Sequence, residues 1–76
     1  MKIRLKYIGR TYEAEAKMLE EAVAKIKISG STKLVSLLTI NGKEKILNGS
    51  ITNRLFGQVS NVAREIAIKQ IKQMFT

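Results

Sequence analysis

Residues 2–8 alternate strictly: Ile3, Leu5 and Tyr7 are apolar, while Lys2, Arg4 and Lys6 are charged. A period of two is the pattern of a strand with one face buried. Gly9-Arg10 follows, and glycine at the first central position predicts a two-residue type II′ hairpin turn. That turn sets a register in which Tyr7 faces Tyr12, Lys6 faces Glu13, Leu5 faces Ala14 and Arg4 faces Glu15. Apolar residues then meet on one face and opposite charges on the other, as stable cross-strand pairs require. The same stretch also has a helical reading. With Thr11 as N-cap, Tyr12, Ala16, Leu19, Val23 and Ile26 fall at spacings of 4, 3, 4 and 3 and form one stripe. The turn and the charge pairing favour the hairpin. Both readings make residues 18–27 a helix that ends near Ser29-Gly30, where glycine suits the C′ position.

Residues 33–40 are apolar on both faces and predict a central strand. Asn41-Gly42 is a type I′ hairpin signal. It pairs Ile40 with Lys43, Thr39 with Glu44, Leu38 with Lys45 and Leu37 with Ile46. The return strand, residues 43–48, carries two lysines that suit an exposed edge. A second Asn-Gly pair at 48–49 breaks it, and Asn48-Gly49-Ser50 reads as a turn. Thr52 is then a good N-cap, with Ile51 and Phe56 placed as a hydrophobic staple, and one long helix runs to about Phe75. Leu55, Phe56, Val59, Val62, Ala63, Ile66 and Ala67 fall within an arc of about 140°, a core stripe. Ile68, Ile71 and Phe75 lie on a second stripe. At 1.5 Å per residue such a helix would be roughly 35 Å long, whereas a domain of this length has a diameter of about 30 Å. An overhanging end with its own apolar stripe predicts an interface with a second copy through Ile68, Ile71 and Phe75. The order strand–strand–helix–strand–strand–helix makes residues 1–76 a single α+β domain, with a small antiparallel sheet and two helices packed on one face.

Composition narrows the chemistry. Hydrophobic residues are 45% of the 76, which fits a folded domain rather than a disordered basic tail. The chain has no Cys, His, Trp, Pro or Asp. Disulfides, thiolate nucleophiles and zinc–sulfur sites are excluded, and so is the usual general base near neutral pH. Glu13 and Glu15 share a strand face, but cross-strand pairing with Lys6 and Arg4 accounts for them. Glu20-Glu21 suits the start of a helix. No phosphate-cradling glycine loop is present. The expectation is a protein without catalytic residues, metal or cofactor, hence not an enzyme. The opening MKIRLKYIGR lacks the apolar core of a signal peptide, and no apolar run reaches the roughly 18–20 residues that span a bilayer. A cytoplasmic protein without membrane attachment is expected.

The charge is the positive signal. Fourteen Lys and Arg against six Glu give a net charge of +8. It is uneven: residues 1–21 carry +1 and residues 22–76 carry +7. Such an excess attracts phosphate independently of base sequence. Three places could carry it: the outer face of the opening strand with its turn (Lys2, Arg4, Lys6, Arg10), the hairpin arm (Lys43, Lys45), and the polar side of the last helix. On that helix Arg54 and Lys72 align, while Arg64 and Lys69 spread to either side. Tyr7 and Tyr12 could stack on bases, but they share the apolar face of the hairpin and read better as core. The expected function is that of a small basic accessory or regulatory protein that binds nucleic acid through backbone phosphates, as a homo-oligomer. The alternative is a protein-interaction module, self-assembling or specific for an acidic partner protein.

Overall fold

The computed structural model describes residues 1–28 and 34–76. It contains β1 (Lys2–Tyr7), β2 (Arg10–Glu15), α1 (Leu19–Lys25), β3 (Ser36–Ile40), β4 (Lys43–Leu47), α2 (Gly49–Phe56) and α3 (Asn61–Met74). The four strands form one antiparallel sheet in the order β2-β1-β3-β4. This is the α+β architecture and the antiparallel sheet that the patterning predicts, with three helices in place of two. Ile3, Leu5 and Tyr7 of β1, Leu38 and Ile40 of β3 and Leu47 of β4 join the buried residues of all three helices in one core. The other face of the sheet is open.

The first hairpin forms, and residues 11–15 are strand rather than helix. Its turn differs from the expected one. Ile8 and Gly9 are the central residues, both in the left-handed region at φ 48° and 71°, so Tyr7 pairs with Arg10, Leu5 with Tyr12, Arg4 with Glu13 and Lys2 with Glu15. The shift from the expected register is two residues, so every side chain keeps its face. The expected register would have continued to Lys2 opposite Lys17. The observed one places Glu15 there and closes an Arg4–Glu13 ion pair at 3.0 Å. Tyr7 is buried and Tyr12 half-buried against the core. The second hairpin has the predicted register at each of its pairs, with Asn41 and Gly42 at φ 50° and 86°.

Helix α1 ends at Lys25, and the chain continues extended so that Ile26 and Ile28 are both buried. The backbone N–H of Ile28 donates to the Phe56 carbonyl at 3.1 Å. The expected glycine cap at Ser29-Gly30 lies outside the described residues.

The long helix is two helices. Asn48, not Thr52, caps α2: its Oδ1 accepts from the Ile51 amide at 2.9 Å. Thr52 is buried in the first turns. Gly57 ends α2 in extended geometry, and Ser60 starts α3 by accepting from the Ala63 amide at 3.2 Å. The molecule measures 28 Å along its longest axis, which a straight helix of roughly 35 Å would overrun. The break at 57–60 lets the second half pack on the core. It also resets the helical phase. Ala67, Ile68 and Ile71 are buried, with Ile71 fully covered, whereas Val62 is 67% and Ile66 50% exposed. The stripe expected in the core is partly outside, and the stripe expected outside is in the core. Ile68 and Ile71 therefore offer no surface to a second copy, and Phe75 is half-buried against the same core.

Candidate nucleic-acid interface

The cations singled out in the sequence do not share one surface. Lys2, Arg4 and Lys6 project from the open sheet face, as alternation requires. Pairing brings Glu13 and Glu15 of β2 and Glu44 of β4 onto that same face. Among the described residues the face holds three bases and three acids. It is neutral, and the whole +8 lies on the rest of the chain. Arg10 is exposed beside the first turn, opposite Tyr7. Lys43 and Lys45 sit on edge strand β4, opposite Ile40 and Leu38, and so on the side that carries the helices. Arg54 is exposed in the last turn of α2.

Lys72 is committed to structure. Its Nζ lies 2.6 Å from Glu20 Oε1 and ties α3 to α1. The hydrogen bond and charge of that ammonium hold the Glu20 carboxyl below its ordinary value. Lys25 is similarly engaged, donating to the Glu15 carbonyl at 2.6 Å.

The break between α2 and α3 creates the basic site that the sequence reading did not assemble. A depression of about 510 Å³ is lined by Lys27, Gly57, Gln58, Ser60, Asn61 and Arg64, among others. None of its described lining is acidic. Lys27 is exposed on the extended segment after α1, and Arg64 is half-buried in the first turn of α3. Arg64 Nη1 donates to Asn61 Oδ1 at 3.3 Å, which orients the guanidinium. Its Nε is buried and has no acceptor among the described residues. Ser60 and Asn61 place the positive end of the α3 dipole on the same wall. The depression thus offers two cations, a helix N-terminus and small polar side chains, a donor-rich set suited to phosphate oxygens.

Lys27 carries no sequence signal of its own. Arg64 was visible as one of the spread cations of the last helix, but its place beside Lys27 depends on the break. The pair Gly57 and Ser60, a helix terminator followed by an N-cap residue, was the available sign.

Among the described residues no helix is long and apolar enough to cross a membrane, and no acidic cluster could hold a metal ion. Compared with known proteins, the chain matches no family model, no curated protein and no solved structure.

Proposed function

We propose that this chain binds nucleic acid through backbone phosphates, with the depression between Lys27 and Arg64 as the point of closest phosphate approach. The observation that carries this reading is the separation of charge. The open sheet face is neutralised by its own glutamates, so the entire excess lies elsewhere, and the Lys27–Arg64 depression is cationic with no acid in its described lining. Phosphate recognition by two side chains and a helix terminus carries no base information, so the binding is sequence-tolerant. Its strength derives from counterion release and falls steeply with salt. Anisotropy of a labelled oligonucleotide, single- or double-stranded, tests this directly. Binding at about 50 mM salt that weakens as salt rises is expected; no binding to either form at that salt overturns it.

The reading as a self-associating module moves with the helical phase. Its surface becomes Val62 and Ile66, the exposed apolar residues of α3, in place of Ile68, Ile71 and Phe75. Sedimentation distinguishes it: a dimer that Ile66→Lys converts to a monomer supports it, and a monomeric wild type at high concentration ends it.

A further inference from the structure

The edge strand β4 has features that phosphate binding leaves unused. It is the last strand of the sheet, and four of its five residues are exposed. An edge strand presents a row of backbone N–H and C=O groups ready to pair with another strand. Its side chains are sorted by face. Lys43 and Lys45 lie on the helix-bearing side, opposite Ile40 and Leu38, while Glu44 and Ile46 lie on the open side. Ile46 is 70% exposed. Beside the lysines, a depression of about 390 Å³ separates β4 from the end of α3; Glu44, Thr76 and the half-buried Met74 and Phe75 line it with them.

We infer that β4 accepts an extended acidic segment of a partner protein as a fifth strand. The chemistry of that segment follows from the faces. Side chains alternate across a strand, so glutamate or aspartate at every second position would meet Lys43 and Lys45. The intervening residues would be apolar and cover Ile46. Met74 and Phe75 flank the acidic side. Main-chain hydrogen bonds supply the attachment and the two lysines supply the selection, as in other strand-addition interfaces.

The same pattern disfavours two pairings with copies of this chain. Antiparallel pairing of β4 with itself about Lys45 would set that lysine against its own counterpart, and like charges directly opposite are unfavourable. The β2 edge of a second copy, added antiparallel with its helices on the same side, would bring Glu13 and Glu15 to the side of Glu44, not to that of the lysines.

The test uses the full chain and two blocked peptides of about seven residues, a common strand length, one alternating glutamate with valine and one alternating lysine with valine. Amide hydrogen exchange and affinity are followed at about 50 mM salt. The acidic peptide is expected to slow exchange across Lys43–Leu47. Affinity should fall by about tenfold or more in the exposed double variant Lys43→Glu/Lys45→Glu, and that variant should instead prefer the lysine peptide. The proposal is overturned by unchanged exchange in β4 at millimolar acidic peptide, or by equal binding of both peptides to the wild type. It is also overturned if oligonucleotide alone, or self-association alone, protects β4.

Discussion

Ser36 Oγ and Thr52 Oγ1 lie 2.7 Å apart, both buried, and this hydrogen bond joins β3 to α2 across the core. The Thr52 hydroxyl donates its one proton to the Asn48 carbonyl at 2.8 Å. The bond to Ser36 must therefore run the other way, with Ser36 donating and Thr52 accepting. The two partners are unequal in consequence. Thr52→Val leaves the buried Ser36 hydroxyl without an acceptor and should cost about 1–3 kcal/mol. Ser36→Ala leaves Thr52 still donating to Asn48 and should cost less. The double variant should recover most of the Thr52→Val loss. Denaturant unfolding of the four proteins checks this, and a neutral Thr52→Val contradicts it.

The phase of α3 separates Ile66 from Ile71. Ile71 is fully buried, so Ile71→Ala should cost about 2–5 kcal/mol. Ile66 is half exposed, so Ile66→Gln should change stability by no more than about 0.5 kcal/mol. A single helix continuing α2 without a break would reverse that order, which thermal or denaturant unfolding reads out.

Ile8 occupies a left-handed turn position at φ 48°, where a β-branched side chain is strained by about 1–2 kcal/mol. The other hairpin of the chain places asparagine at the corresponding position, Asn41 at φ 50°. Ile8 is also 64% exposed, so its replacement removes little packing. Ile8→Asn is expected to raise stability by about 1 kcal/mol, measured as an upward shift of the unfolding midpoint. A lower midpoint would mean that the Ile8 side chain is held by contacts of its own.

Glu20 and Lys72 set a pH dependence. The Glu20 carboxyl is held below its ordinary value by the Lys72 ammonium, so the folded state binds that proton less readily than the unfolded chain. The contribution is present above the ordinary carboxylate range and is lost as pH falls through the lowered value. Both groups are partly exposed, so the effect is small and screened by salt. Melting of wild type and Glu20→Gln should show a wild-type advantage near pH 7 that narrows toward about pH 3. An advantage that grows on acidification contradicts the pairing.

Short-range patterning carried much of the fold. The alternation of Ile3, Leu5 and Tyr7 marked the buried face of β1, and Asn41-Gly42 set the register of the second hairpin, because both depend on neighbouring residues alone. The first turn is not fixed by local sequence, because Gly9 satisfies a left-handed position in either of two turns. The two turns differ in setting Lys2 opposite Glu15 or Lys17, at the far end of the strands. The α2–α3 break is hard to see in the sequence because apolar spacing continues acceptably across Gly57–Ser60, and the size of the core, not local propensity, forbids a straight helix there. A straight helix places Val62 and Ile66 inward and Ile68 and Ile71 outward, the reverse of what the break produces. The candidate site suffered most. Lys2, Arg4 and Lys6 looked like an interface until the register placed Glu13, Glu15 and Glu44 beside them. Lys27 and Arg64, far apart in the chain, line one depression only once α3 turns back.

The salt dependence of oligonucleotide binding by two double variants measures where the phosphate contacts lie. Lys27→Gln/Arg64→Gln removes the cations of the depression, and Lys2→Gln/Lys6→Gln removes two from the neutralised sheet face. With phosphate bound between α2 and α3, the first variant should bind more weakly and lower the slope of log K against log salt by about 2, while the second keeps the wild-type slope. A slope unchanged in the first variant and reduced in the second would place the contacts on the sheet and contradict the account.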